Sequence, residues 1–200
     1  MLPIIVCTIG SKTLSVMEQS AKVYAPDNPV FVFHNKPSTF GEAYNAAMQA
    51  AFVTYSEIII ANDDVVLTPD TMPVLMEDVE NLKQSHARLG FVATYSDNAR
   101  QSQDIRYTKP FLKQVDRLSP YFAWVSKQAF ETAQFPPINW YSDDVMCEDL
   151  NAEGFIHFVS RAYIHHAGSQ TVGVDYNKLN KEALPWICEN RPKYVTKWFS

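Results

Sequence analysis

The chain has 200 residues, of which 46% are hydrophobic and 20% charged, and its formal net charge is −5 at neutral pH. This length fits one domain that buries a core of its own. The acidic balance excludes a general electrostatic footprint for nucleic acid.

The cysteines and the hydropathy of the chain limit further the class of protein to which it can belong. Cys7, Cys147 and Cys188 are far apart and odd in number, and they show neither metal-ligand spacing nor a disulfide framework. No stretch approaches the roughly 18 apolar residues of a membrane span. The first residues, MLPIIVCTIG, lack the basic start of a signal peptide. We therefore expect a cytoplasmic protein with one domain.

The first half of the chain alternates predicted strands and helices. Apolar, β-branched runs predict strands over 3–9, 29–35, 57–61 and 89–96. Helical patterns follow over 13–24, from 40 to about 55, and from 71 to about 86, and Ser38 or Thr39 can cap the second of them. This alternation with short connections is typical of an α/β domain with a mainly parallel sheet.

The second half has a less regular pattern. Residues 97–118 are polar and contain five Lys or Arg against three Asp. The pattern then predicts a strand over 120–126, a short helix over 127–135 and a second helix over 142–154 that ends at Gly154. A strand over 155–160 follows, and then the segment AYIHHAG. In such sheets, ligands bind where the carboxyl ends of the strands open into a crevice.

The segment EIIIANDDVVL (57–67) places two adjacent carboxylates inside an apolar run. Asp63 and Asp64 repel each other unless a cation, solvent or a hydrogen-bond donor compensates them. Because Asn62, Asp63 and Asp64 follow a predicted strand, they favour a site for Mg²⁺ or Mn²⁺ bound together with phosphate oxygens. The alternative is a strand-to-turn junction, where Asn and Asp bond to the local backbone.

A second pair of carboxylates opens the helix predicted at 142. Asp143 and Asp144 lie in its first turn, where the helix dipole alone would stabilise them. The aromatic residues Trp140 and Tyr141 come directly before them and suit the face of a sugar. An ionised Asp can accept a proton, so the pair is also a candidate for general-base chemistry.

Two weaker signals remain. His165 and His166 lie at a strand end before Gly168, and strand alternation lets only one of the two imidazoles face a crevice, where it could bind a metal or phosphate. The alternative is a packed core histidine. Asn45 interrupts an otherwise Ala-rich helix, whose small residues alternatively allow close packing on the sheet.

In this order and spacing, these segments resemble a glycosyltransferase of the GT-A fold, similar to family 2-type enzymes. The resemblance covers residues 3–171 and rests on five places, namely 8–10, 41–45, 62–64, 143–144 with Gly154, and 165–169. It implies a single Rossmann-like α/β domain with a mixed, mainly parallel central sheet flanked by helices. Residues 1–96 would form the nucleotide-sugar and metal-binding half, and residues 97–200 the acceptor and catalytic half.

The resemblance also implies a role for each motif. The reaction would move a sugar from a nucleotide-sugar donor to the hydroxyl of a glycan, lipid-linked or other acceptor, with a divalent cation and with inversion. Asp144 would be the base, with Asp143 as the fallback. The cation, Mn²⁺ or Mg²⁺, would be held mainly by Asp64, with contributions from Asp63, His166 and His165. The donor would contact Thr8, Ile9, Gly10, Gly41, Asn45, Asn62 and Asp63.

The sequence departs from the resemblance after the second predicted strand. The family usually has an Asp there that reads the nucleotide, whereas this chain has FHNKPSTFG, so His34 or Asn35 would have to serve. A non-catalytic sugar-nucleotide or glycan-binding module is therefore a rival interpretation. A nucleotidyltransferase is a weaker rival, because the segment TIGSKT has a single glycine where such enzymes commonly carry a Gly-rich loop.

Two surface segments have alternative interpretations. Residues 97–118 could cover the donor phosphates through Arg100, Arg106 and Lys109, or could form a solvated loop. The C-terminal segment LPWICENRPKYVTKWF could contact an anionic membrane surface, or could be a helix that covers the sheet. Its aromatic and aliphatic residues are interleaved with cations: Trp186, Ile187, Trp198 and Phe199 with Arg191, Lys193 and Lys197.

Overall fold

The computed structural model describes residues 2–34, 38–168 and 175–199, and Asn35 and Ser169 lie outside them. The strands in chain order are β1 (Ile4–Thr8), β2 (Val30–His34), β3 (Glu57–Ala61), β4 (Val65–Leu67), β5 (Leu89–Ser96), β6 (Lys113–Val115), β7 (Phe122–Ser126) and β8 (Ile156–His166). The helices are α1 (Leu14–Tyr24), α2 (Phe40–Ala51), α3 (Thr71–Ser85), α4 (Lys127–Thr132), α5 (Ser142–Ala152), α6 (Tyr176–Asn190) and α7 (Pro192–Phe199).

Within the described residues, the eight strands form one sheet in the order β2-β1-β3-β7-β5-β8-β4, and β6 also pairs with β8. Strands β1, β2, β3, β5 and β8 run in one direction, and β4, β6 and β7 run against them. The prediction of a mixed, mainly parallel sheet flanked by helices is therefore confirmed.

The predicted strands and helices of the first half are present, and the sequence pattern missed two short strands. The apolar residues after Asp64 form β4, whose residues Val65 and Leu67 pair antiparallel with the end of β8. Strand β6 pairs with the beginning of β8, which is one continuous strand through Arg161. Strands of three residues are too short to show the alternation on which sequence prediction depends.

The central strands are apolar without alternation because helices cover both faces of the sheet. Ile58 and Ile60 of β3 face the core formed with α2, α4 and α5, whereas Ile59 faces the core formed with α1 and α3. Both cores are buried. The parallel strands between them end at the same edge of the sheet, and the loops that follow these strands lie there.

Helices α6 and α7 pack on α5 and on the segment before it. Their buried residues Ile187 and Tyr194 join Val145 of α5 and Ile138 in a third apolar cluster. Of the two interpretations of the C-terminal segment, a membrane contact and a helix that covers the sheet, neither describes this cluster, which joins the segment to α5 and to the residues before it. None of the helices in the described ranges has the length and hydropathy to cross a bilayer.

His157 joins α5 to the sheet at an irregularity in the pairing of β5 with β8. The backbone N–H of Phe91 donates to its Nδ1 at 2.9 Å, so Nε2 carries the proton and donates to the carbonyl of Cys147 at 3.1 Å. A Cβ at Gly90 would lie 2.4 Å from the imidazole, so a side chain at that position would displace the ring. Burial lowers the pKa of His157 to about 4 and keeps the ring neutral.

Candidate active site

A cavity of about 560 Å³ opens at the carboxyl ends of the parallel strands. Thr8 lines it from the end of β1, Asn62 from the end of β3, Asn98 from beyond β5, and His166 from the end of β8. The loop before α5 and the start of α5 form another part of its wall. This edge of the sheet is where the fold class predicts a ligand.

The first carboxylate pair, Asp63 and Asp64, is buried in this cavity. The hydroxyl of Thr8 donates to Asp63 and in turn accepts from the backbone N–H of Gly10 at 3.0 Å. Burial raises the pKa of Asp63, the hydrogen bond from Thr8 lowers it, and the neighbouring Asp64 raises it again, with a net rise. Thr8 therefore connects the turn after β1 to one member of the pair.

Asp64 has a different environment. Its Oδ1 lies 3.2 Å from Nε2 of His166, and among the described residues this buried oxygen has no hydrogen-bond donor. Nδ1 of His166 lies 2.7 Å from the carbonyl oxygen of Asn98, so Nδ1 carries a proton. In the neutral ring, Nε2 then presents its lone pair to the carboxylate. Two acceptors that face each other at this distance require a proton or a metal cation between them.

The surroundings of His166 affect both its pKa and the orientation of its ring. Burial would lower its pKa, but the Asp64 carboxylate raises it, and the net direction is upward. The carbonyl partner fixes the tautomer and leaves Nε2 for the cavity, which is how metal-binding histidines are commonly oriented. The described residues contain no group of three His, Cys, Asp or Glu that could hold a metal. A cation at Asp64 and His166 would therefore need oxygen ligands from a phosphate or water, as Mg²⁺ and Mn²⁺ commonly do.

The second carboxylate pair, Asp143 and Asp144, is compensated by guanidinium groups. Arg100 Nη1 lies 2.9 Å from Asp144 Oδ1, and Arg100 Nη2 lies 3.4 Å from Asp143 Oδ2. Arg117 adds a contact of 3.5 Å to the same Asp144 oxygen. The hydroxyl of Ser119 accepts from Arg100 Nε at 3.0 Å and so fixes the orientation of Arg100.

The two members of this pair differ in their exposure, and Asp143 has a raised pKa. The side chain of Asp143 is 20% exposed and that of Asp144 is 9% exposed. Burial and the adjacent Asp144 raise the pKa of Asp143 to about 6, although Arg100 opposes the rise. A carboxylate with a pKa near neutrality is suited to general-base chemistry.

The aromatic residues before α5 contribute to the cavity wall, as their position in the sequence suggested. Trp140 and Tyr141 line the cavity, and their rings lie 5.8 Å apart in an edge-to-face arrangement. Tyr141 has φ of 62°, a left-handed conformation that is uncommon outside Gly. Such backbone conformations cost roughly 1–3 kcal/mol and persist where the surroundings impose them.

The structure brings most of the predicted site residues together. Of the predicted site residues that the structure describes, those that line the cavity are Thr8, Ile9, Asn62, Asp63, Asp64, Asp143, Asp144 and His166. The described residues Gly10, His34, Gly41, Asn45 and His165 do not line it. Asn35 lies outside the described residues, and so do most residues of the connection between β8 and α6.

The predicted residues that do not line the cavity have visible structural roles. A Cβ at Gly41 would lie 1.8 Å from the carbonyl oxygen of Pro136, so this glycine permits close packing. The Asn45 amide exchanges two hydrogen bonds with the backbone of Phe135. Exposed His34 ends β2 beside Thr8, and the half-exposed imidazole of His165 contacts Asp97.

Sequence analysis missed several cavity residues. Arg117 lines the cavity from the polar stretch 97–118, Ser119 follows that stretch, and Tyr121 belongs to the strand predicted over 120–126. The Tyr121 ring lies 4.2 Å from that of His166. Arg100 was considered as a cover for donor phosphates and lies at the acidic pair, whereas Arg106 is held by buried Asp104. A cluster of cations in this stretch was the only available signal.

Comparison with known proteins defines the fold. No protein-family model matches the chain, and no curated protein sequence matches it. Among solved structures, S. aureus TarS 1–349 is similar over 99% of this chain and 74% of its own, with 11% identity and a TM-score of 0.56. A197 from STIV is similar over 82% of this chain and 81% of its own, with 12% identity and a TM-score of 0.55.

The chain has a GT-A-like glycosyltransferase fold. The TarS fragment has also been solved in complex with UDP-GlcNAc, and that structure is similar over 82% of this chain and 57% of its own, with 12% identity and a TM-score of 0.55. At these identities the likeness establishes the fold alone.

Proposed function

We propose that this protein transfers a sugar from a nucleoside diphosphate sugar to an acceptor hydroxyl in the cavity. The observation that carries the proposal is the coexistence of two unlike carboxylate pairs in one cavity of a GT-A-like fold. One pair includes an uncompensated buried oxygen, and the other is held by guanidinium groups. The UDP-GlcNAc complex of TarS supports a nucleotide-sugar donor.

Asp64 and His166 would hold a divalent cation, with Asp63 kept in place by Thr8. The orphaned oxygen of Asp64 and the lone pair of His166 fit such a group. When bound, the cation would neutralise charge on the departing nucleoside diphosphate. The protein would contribute a buried, pre-oriented pair of ligands, and the diphosphate would provide further oxygens.

The base is better assigned to Asp143 than to Asp144. The sequence favoured Asp144, but Arg100 and Arg117 both contact one oxygen of Asp144, whereas Asp143 is more exposed to the cavity and has the raised pKa. In the proposed step, the acceptor oxygen bonds to the anomeric carbon while its proton passes to Asp143. The bond from that carbon to the diphosphate oxygen breaks, and direct displacement inverts the anomeric centre.

The proposal is tested by incubating the full chain with a panel of sugar nucleotides and Mn²⁺, with candidate acceptors, and measuring release of nucleoside diphosphate. We expect release with at least one donor, and a strong loss in Asp143→Asn. The matched control is Asp70→Asn, an exposed Asp at the start of α3, which should behave as the wild type. Donor binding without any release would support the rival interpretation, a non-catalytic binding module.

A further inference from the structure

The last helix of the described chain contacts the acidic pair through a chain of side chains. The guanidinium of Arg117 lies 4.8 Å over the ring of Trp198 in α7 and 3.5 Å from Asp144 Oδ1. One face of the Arg117 guanidinium is therefore covered by α7, and the end of the guanidinium lies towards the carboxylate of Asp144. An arginine stacked on an aromatic ring retains its planar donors for an anion.

Glu148 completes this arrangement from α5. Its carboxylate is 5% exposed, and its Oε1 accepts from Trp198 Nε1 at 3.1 Å and lies 3.8 Å from Arg117 Nε. Its other oxygen accepts from Lys197 Nζ at 2.9 Å. A buried carboxylate needs such partners to remain ionised, and two of the three come from α7.

The C-terminal helices also contact the strained residue at the start of α5. The hydroxyl of Tyr141 donates to Asn180 of α6 at 3.0 Å, and its ring stacks on Trp198 at a centroid distance of 5.7 Å. Trp198 thus contacts both the residue that starts α5 and the arginine that holds Asp144. The aromatic residues of α7 that the structure describes face inward, which leaves Pro192, Lys193, Thr196 and Lys197 on its exposed side.

We propose that α7 is a positioning element of the active site, in which Trp198 and Glu148 hold Arg117 against Asp144 and so leave Asp143 as the carboxylate that takes the acceptor proton. This rests on the proposed function. Asp144 contacts Arg100 on one side and Arg117 on the other, while Asp143 contacts Arg100 alone of the two. Removal of the Trp198 ring would release Arg117 and disturb the acidic pair without touching either carboxylate.

The test compares Trp198→Leu with Trp186→Leu in the full chain. Trp186 belongs to the same apolar cluster but lies near Arg191 instead of Arg117, so it is the matched control for lost packing. We expect kcat of Trp198→Leu to fall about 3- to 10-fold, because small misplacements of catalytic groups slow turnover. KM for the donor should stay near the wild-type value, and Trp198→Phe should recover most of the loss.

A double variant separates positioning from general damage. If Trp198 acts through Arg117, Trp198→Leu combined with Arg117→Ala should lose no more turnover than Arg117→Ala alone. A reading independent of turnover is the NMR signal of the Arg117 side-chain N–H groups, which the indole ring current should displace in the wild type. Trp198→Leu should abolish that displacement, and Trp186→Leu should preserve it.

The outcomes are distinguishable. Equal kcat in Trp198→Leu and Trp186→Leu, or an Arg117 signal that does not respond to Trp198→Leu, overturns the positioning role. If the wild type releases no diphosphate from any donor but the Arg117 signal responds as expected, the proposed reaction is wrong and the hold of α7 on Arg117 stands. Additive losses in the double variant would also contradict the proposal.

Discussion

The two carboxylate pairs of the cavity have the same composition and opposite surroundings. Asp63 and Asp64 have one neutral hydroxyl and one imidazole as partners, and an oxygen of Asp64 lacks a donor among the described residues. Asp143 and Asp144 lie between guanidinium groups. The first pair therefore has room for an external cation, whereas the second already has its cations built in.

This difference indicates how adjacent Asp residues can be distinguished. A buried anion is costly unless it is paired, and Asp64 keeps one oxygen without a donor among the described residues. Pairing with arginine lowers the proton affinity of a carboxylate, and Asp144 contacts both Arg100 and Arg117, whereas Asp143 contacts Arg100 alone of the two. Strand β8 carries a histidine for each region, with His166 beside Asp64 and His157 beneath α5.

The largest expected effect is on the rate of transfer, which should depend much more on Asp143 than on Asp144. Asp143→Asn keeps the shape of the side chain and removes its basicity. We expect transfer to fall by about 10²- to 10⁴-fold, the usual contribution of a positioned base, or about 3–5 kcal/mol of barrier. Asp144→Asn should cost about tenfold, through the loosened arginines. Steady-state rates at saturating donor provide the measurement.

The control for this ranking is the pH dependence of the wild type. Because Asp143 must be ionised to accept a proton and its pKa is raised to about 6, kcat should rise with pH through about 6 and then level off. The reverse ranking of the two variants would assign the role to Asp144. Near-normal rates in both would remove base catalysis by this pair altogether.

The second prediction concerns the buried His157 and the pH dependence of the free energy of unfolding. The pKa of His157 falls from its ordinary 6.5 to about 4 in the folded protein. Between these two pKa values, the unfolded chain binds a proton at His157 that the folded chain does not bind. The contribution of His157 to the free energy of unfolding is therefore fully present above pH 6.5 and declines as the pH falls towards 4. The loss should approach about 3 kcal/mol.

Urea unfolding of the wild type and of His157→Gln between pH 4 and pH 8 measures this effect. The variant should be less stable at pH 7, because Phe91 and Cys147 lose their shared partner, and its stability should depend less on pH below 6.5. Parallel pH curves for the two proteins would show that His157 does not titrate as described. Replacement of Gly90 by Ala should mimic the destabilisation at all pH values, since the added methyl group meets the imidazole.

A smaller effect is expected on the free energy of unfolding, and it should differ between the two carboxylate pairs. In the ligand-free protein, Asp144→Asn should lower the free energy of unfolding by about 1–3 kcal/mol, because the partly buried guanidinium groups of Arg100 and Arg117 lose the carboxylate that both contact. Asp64→Asn should have no cost, or a gain of about 1 kcal/mol, because it removes a buried charge and supplies an N–H towards His166.

Denaturant unfolding of both variants at pH 8 gives both values under one condition. Equal destabilisation by the two substitutions would mean that the first pair is as well compensated as the second. The proposed difference between the two regions would then be wrong.

The sequence predicted those site residues that lie at the end of one predicted strand. Asp63 and Asp64 follow the apolar residues of β3 with only Asn62 between, so their position at the edge of the sheet follows from local pattern alone. The same holds for His166 at the end of β8. Strand alternation also explains why His165 points elsewhere, although alternation alone could not decide which of the two faces the cavity.

The remainder depends on long-range packing. Arg100 and Arg117 meet Asp144 across 44 and 27 positions of chain, and no local periodicity encodes such a contact. The antiparallel insertion of β7 between β3 and β5 is equally invisible, because an apolar run does not reveal strand direction. Gly41 and Asn45 were assigned to the donor through resemblance, and the structure shows them packing α2 against residues 135–136.

The central claim is that the first pair awaits a cation that arrives with a diphosphate, and ligand-dependent stability tests it most directly. The full chain would be unfolded thermally with a panel of nucleoside diphosphates, with and without Mn²⁺, alongside Asp64→Asn and the control Asp70→Asn. At 100 times its dissociation constant, a bound diphosphate should add about 2.7 kcal/mol. We predict that this gain requires Mn²⁺ in the wild type and in Asp70→Asn and disappears in Asp64→Asn. The same gain without Mn²⁺, or an undiminished gain in Asp64→Asn, would contradict the account.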